Sequence, residues 1–168
     1  MITSKFRIFA LFTLLLFCAV MPLVNAFPAV SRFYVKMYAN PSDSTINYHY
    51  VVGNYEILDF SQWGNLTAEG GNIGTPPIGR LDWHIVWIID RTTLRSVIFG
   101  QFTMRFGSGQ YAGKTVEGTC IIPNVTVFPS GGGQVVSGAF AGRGDMNVAG
   151  RVEPIEVPSG AAFVGYSW

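Results

Sequence analysis

The chain has 168 residues, 49% hydrophobic and 12% charged, with 20 glycines, 2 cysteines, 2 histidines and a formal net charge of +1. These proportions describe a single small compact domain rather than a disordered chain or a multidomain enzyme. No basic excess exists to neutralise a nucleic-acid backbone, and the two cysteines and two histidines form no ligand cluster for a structural zinc site.

At the N-terminus, Lys5 and Arg7 precede an uncharged run from Ile8 to Val24, and Val24-Asn25-Ala26 supplies the small side chains that suit a signal peptidase. Residues 1–26 therefore read as a helical signal peptide and residues 27–168 as a single all-β domain, exported from the cell or held at its surface. Phe17 before Cys18 is too large for a lipoprotein signal. The competing reading is an uncleaved anchor, since the 17 residues of Ile8 to Val24 approach the shortest span of a bilayer. Membrane contact is expected only through that segment.

Removing the leader leaves 142 residues with 9 basic and 10 acidic side chains, a formal charge of −1. A chain of this size buries about two-thirds of its unfolded surface, enough for one apolar core without metal or disulfide. Cys120 is then the one remaining cysteine, in the apolar run Thr119-Cys120-Ile121-Ile122, and reads as a buried small hydrophobe. No cofactor is expected.

Period-two alternation recurs along the mature chain, the signature of strands. Ser31 to Tyr38 sets Phe33, Val35 and Met37 against Arg32, Tyr34, Lys36 and Tyr38; Asn40-Pro41-Ser42-Asp43-Ser44 then reads as a turn. Thr45 to Val52 places Ile46, Tyr48, Tyr50 and Val52 opposite Thr45, Asn47 and His49, and a Gly53-Asn54 turn leads into a strand over 55–60. Trp63-Gly64-Asn65 reads as a turn. Gly70 to Gly79, with Pro76 and Pro77, is the longest loop.

Leu81 to Ile89 is the most apolar strand, with Leu81, Trp83, Ile85, Trp87 and Ile89 on one face and Asp82, His84, Val86 and Ile88 on the other. Asp90 to Thr93 turns into a strand over 94–106, in which Gly100 could supply a bulge. Residues 27–106 hold 14 of the 20 mature aromatics, whereas residues 107–168 hold 13 of the 20 glycines. Shorter strands are expected over 114–122, 125–128, 134–140, 145–153 and 161–168. Breaks fall at Pro123, Pro129, Gly131 to Gly133, Pro154 and Pro158. About 8–10 strands in all suit a small antiparallel β-barrel or a β-sandwich.

Gly107-Ser108-Gly109-Gln110-Tyr111-Ala112-Gly113, followed by Glu117-Gly118-Thr119, resembles the Gly-x-Gly-x-aromatic-x-Gly strand pair of allene oxide cyclase and dirigent-type barrels. That resemblance spans residues 107–119 and implies a secreted or organellar eight-stranded antiparallel barrel that guides an apolar reactive intermediate in its cavity. It transfers no catalytic residue.

The candidate ligand site is aromatic. If their strands are neighbours, Tyr48, Tyr50, Trp83 and Trp87 converge on one face and, with His84 as a polar group, could line a pocket for a small apolar ligand or a glycan. The alternative use of the same rings is core filling. Asp82 and His84 lie at i and i+2 of one strand, about 6.5 to 7 Å apart at Cα, too far for direct pairing. His49 and His84 lack a third ligand for a metal site.

Asn65-Leu66-Thr67 and Asn124-Val125-Thr126 are N-glycosylation sequons, sites of modification on an exported chain at Asn65 and Asn124. Arg143-Gly144-Asp145 spells a tripeptide read by integrin-type receptors and reads equally as a hairpin turn. The expected role is binding or structural, at the cell surface or outside the cell. A cofactor-free barrel isomerase or cyclase acting on an apolar ligand is the enzymatic alternative. A small outer-membrane barrel, suggested by the alternation up to the terminal Trp168, is the third reading.

Overall fold

A computed structural model describes residues 29–128, 133–155 and 160–168. The signal segment lies outside the described residues, as do the expected breaks at Pro129, Gly131, Gly132 and Pro158. Eight antiparallel strands run in chain order: β1 (Ser31–Val52), β2 (Tyr55–Thr67), β3 (Gly79–Asp90), β4 (Arg95–Phe106), β5 (Thr115–Val127), β6 (Gly133–Gly144), β7 (Val148–Pro154) and β8 (Gly160–Ser167). Each pairs with its chain neighbours, and β8 pairs with β1, so the sheet closes into a barrel. Closure decides between the barrel and the sandwich that alternation alone left open.

Where the observed strands differ from the expected ones, the cause is a strand that bends without ending. The turn expected at residues 40–44 is instead a register shift between Ala39 and Ser44 inside β1, which continues for 22 residues. Its first part, Ser31 to Tyr38, closes the barrel against β8; the rest continues along β2 alone. The two strands expected at 114–122 and 125–128 are one strand, β5, shifted in register against β6 around Asn124. Proline lacks the donor for an unbroken ladder, and Pro123 falls at that shift.

Gly100 stays in register with Ile85 and Cys120; the irregularity in β4 falls between Ser96 and Ile98. Trp63-Gly64-Asn65 is not a turn but part of β2: Gly64 and Asn65 pair with both β1 and β3, and Trp63 with β3. The strand expected from residue 145 starts at Val148.

The interior is apolar. One inward row passes through all eight strands: Phe60, Ile85, Gly100, Cys120, Phe140, Gly150, Gly165 and Phe33. A small barrel cannot hold eight large side chains at one level, and three of these eight positions are glycine. Gly100 is the clearest case, because a methyl group there would overlap the Trp83 indole nitrogen.

Ring contacts then run along the axis. Tyr111 packs on Phe33 at 5.3 Å and Phe106 at 5.2 Å; Phe33 meets Phe140 at 5.9 Å; Phe140 meets Phe163 at 5.2 Å; and Phe163 meets Trp83 at 6.0 Å. Tyr111 reaches this stack from a loop. The glycine-rich segment at 107–113 connects β4 to β5 through a short 3-10 turn, Gly109–Tyr111, with Gly109 and Gly113 at positive φ, and does not itself form a strand pair. The Tyr111 hydroxyl donates to the Arg32 carbonyl at 3.0 Å, so the loop stoppers one end of the barrel.

Candidate binding face on the outside of the barrel

Outward side chains from β1 to β6 form rows across the sheet, because residues paired in register share a face. Tyr50, Ile57, Ile88 and Val97 make one row; Tyr48, Asp59, Val86, Phe99, Ile121 and Ala139 make the next. Then come Thr45, Ser61, His84, Gln101, Thr119 and Ala141, followed by Trp63, Asp82, Thr103, Glu117 and Arg143. Asn65, Arg80, Arg105 and Thr115 complete the series. The face thus grades along the barrel axis from apolar to neutral polar to charged. Phe99 and Ile121 are each 45% exposed, a degree of apolar exposure that marks a candidate contact surface.

Two depressions lie on this gradient. An open groove of about 1150 Å³ runs over the polar rows, lined by Ser61, Asp82, His84, Gln101, Thr119 and Arg143 among others. A second, of about 600 Å³, is lined by Val86, Phe99, Ile121, Ala139 and Ala141. His84, Gln101 and Thr119 border both. The short side chains of Ala139 and Ala141 keep the β6 side of the second groove low.

His84 stands at the boundary. Its Nε2 lies 2.8 Å from Asp59 Oδ1, and Asp59 also accepts from Asn47 Nδ2 at 2.9 Å. These bonds, Asn47's first and His84's second, hold the Asp59 carboxyl below its ordinary range. Asp82 does not pair with His84; it accepts from Arg80 Nε at 2.8 Å and from Arg105 Nη1. Arg80 in turn lies over the Trp63 ring, 4.6 Å from its centroid.

Ser61 is directly opposite His84, but its hydroxyl faces Asn47 Nδ2 at 3.3 Å while the His84 Nε2 faces Asp59. The group is built to hold an imidazole in place. Activating a nucleophile would need a hydrogen bond from Ser61 to His84 instead.

The structure does not bring the four predicted rings together. Trp83 and Trp87 point inward and are 5% and 7% exposed, whereas Tyr48 and Tyr50 point outward at 60% and 55% and stack on each other at 6.1 Å. The cause is a bulge at Asn47. Ile46 pairs with inward Phe60, yet Tyr48 pairs with outward Asp59, so one extra residue moves the tyrosines to the other face. It also turns His49 toward the inner side of the sheet, opposite Leu58, where its Nε2 lies 2.9 Å from Glu56. The indole nitrogens of Trp83 and Trp87 are buried without a hydrogen-bond partner among the described residues.

Asn65 and Asn124 are both exposed. Asn65 lies within β2, and Asn124 lies at the β5–β6 register shift, 3.5 Å from the Ser137 hydroxyl. Arg143 and Gly144 end β6, and the Asp145 carboxylate accepts from the Thr115 backbone N–H at 2.8 Å. Cys120 is buried, and burial pushes its thiol up to about 11. No group of three or more His, Cys, Asp or Glu side chains placed to hold a metal occurs among the described residues.

Sequence reasoning misses the outer-face site as a unit. Asp59, Gln101, Thr103, Thr119, Glu117 and Arg143 each fall on the polar side of an alternating strand, but only strand register aligns them. No protein family, curated protein or solved structure matches this chain.

Proposed function

We propose that the protein is an exported binding domain, acting at the cell surface or outside the cell, and that it binds through the outer face of β2–β6. The observation that carries this reading is the pair of adjoining grooves on that face, set against an interior axis occupied by contacting rings. Export rests on the basic, apolar and small-residue pattern of residues 1–26.

The interior argues against an isomerase or cyclase that encloses its substrate. Phe33, Phe140, Phe163 and Trp83 fill the space such a substrate would need. Polarity argues against a membrane-spanning barrel, whose outside is an apolar band and whose inside is polar. Here the inside is apolar, and the outer rows bear Asp82, Arg105, Glu117 and Arg143.

Expression of the full chain in its host, with fractionation and N-terminal sequencing, tests export. The expected product is in the medium or on the surface and starts at Phe27; an intact cytosolic chain overturns that part. Thr119→Trp, which fills the shared border of the grooves, tests the face. It should abolish attachment to host cell surfaces without lowering the melting temperature, and undiminished attachment removes this face as the binding surface.

A further inference from the structure

The charge, hydrogen-bonding capacity and shape of the outer face restrict what it can hold. The larger groove is lined by Arg80 and Arg143 against Asp82 and Glu117, and Asp82 is already bonded to Arg80 and to Arg105 beside the groove. The balance leaves no net field for a phosphate, sulfate or ammonium head. What faces solvent along the shared border is the Gln101 amide and the Thr119 hydroxyl, beside the imidazole of His84. Amide and hydroxyl both donate and accept, which suits an uncharged ligand whose own groups do the same.

One row further along each strand, a step of roughly 6.8 Å, the surface becomes Val86, Phe99, Ile121 and Ala139. From β3 to β6 the face is about three strand spacings wide, roughly 14 Å. Polar and apolar contacts are therefore separated by about the distance between the head and the first part of the tail of one small molecule.

We infer that this face takes an uncharged amphipathic molecule, a polyhydroxylated sugar-like head joined to a hydrocarbon part. The head lies against His84, Gln101 and Thr119, and the hydrocarbon lies across Phe99, Ile121 and Ala139. This inference rests on the proposed role of the outer face. Glycolipids and glycosides of apolar alcohols share that chemistry.

Amide chemical-shift mapping of the mature chain with dodecyl maltoside below its micelle concentration tests it, using maltose, dodecyl sulfate and dodecyltrimethylammonium for comparison. Dodecyl maltoside should shift Gln101, Thr119, Phe99 and Ile121 together, and the three comparison compounds should bind about tenfold more weakly or worse. Gln101→Leu with Thr119→Val should erase the preference for the sugar head while leaving the melting temperature unchanged. Phe99→Ser with Ile121→Ser should weaken binding of dodecyl maltoside but not of maltose.

Equal binding of all three dodecyl compounds on this face overturns the ligand class and leaves the outer-face reading standing. Shifts confined to inward residues such as Phe33 and Phe163 overturn both. No shift on the outer face with any of the four compounds overturns the ligand class, and the Thr119→Trp attachment experiment then decides the face separately.

Discussion

His84 on β3 and Asp59 on β2 are joined diagonally across the sheet, Nε2 to Oδ1 at 2.8 Å, at the row where the outer face passes from apolar to polar. Asn47, the bulged residue of β1, bonds the same carboxylate from the other side. The bulge that moves Tyr48 outward thus also helps hold the histidine at the groove border.

That arrangement sets a pH dependence. The Asp59 carboxyl is lowered from its ordinary 3.8, by the Asn47 bond first and the His84 bond second. Its contribution to stability is fully present above 3.8 and disappears as the pH falls through the lower folded-state value. Carboxyl NMR titration should show both Asn47→Ala and His84→Ala returning Asp59 toward 3.8, Asn47→Ala by loss of its hydrogen bond and His84→Ala by loss of a hydrogen bond and a nearby positive charge. An unchanged Asp59 in either variant would contradict the assignment of causes.

Two glycines should respond differently to alanine. Gly100→Ala forces a methyl group into the Trp83 indole and should cost about 1–3 kcal/mol, the usual range for overpacking, with a change in tryptophan fluorescence. A methyl group on Gly107 would meet nothing within 4 Å, so Gly107→Ala should stay within about 0.5 kcal/mol. Urea unfolding of both variants is the comparison, and equal midpoints would mean that the indole does not occupy the space beside Gly100.

Phe140 touches Phe33, Phe102 and Phe163 at ring distances of 5.9, 6.3 and 5.2 Å, a central position in the axial stack. Phe140→Ala should lose about 3–5 kcal/mol and leave a cavity on the barrel axis. Denaturant titration measures the loss; a change below about 1 kcal/mol would mean that the axis is not packed as described.

Cys120 should behave as a hydrophobe. With its thiol pushed up to about 11 by burial, it should resist a thiol reagent at about pH 8 in the folded protein and react fully in denaturant. Reaction with the native protein faster than global unfolding would show an opening of β5 that the packed barrel does not contain.

The sequons give a chemical test of exposure. Expressed through a eukaryotic secretory pathway, the chain should carry glycans at Asn65 and Asn124, and Asn65→Gln and Asn124→Gln should each remove one step of glycosidase-sensitive mass. A single step lost in both together would leave one of the two sites unmodified.

Local chemistry made much of the barrel legible before any pairing was known. Alternation over residues 81–89 assigned Trp83 and Trp87 to one face and His84 to the other, as β3 has them. Glycine and proline marked the loop after β2, and the apolar neighbours of Cys120 indicated its burial. These properties belong to single segments, where a period of two, a missing donor or a missing side chain acts through the nearest few residues.

Register and closure belong to pairs of segments. The alternation of residues 45–52 has the same appearance with or without a bulge at Asn47, yet the bulge separates Tyr48 and Tyr50 from the tryptophans. Asp59 and His84 are 25 positions apart and meet only because β2 and β3 align Ser61 with His84. Composition and alternation by themselves determined an all-β chain with two-sided strands. The tertiary structure decided which faces meet, since a one-residue offset in a ladder exchanges inside and outside for every residue beyond it.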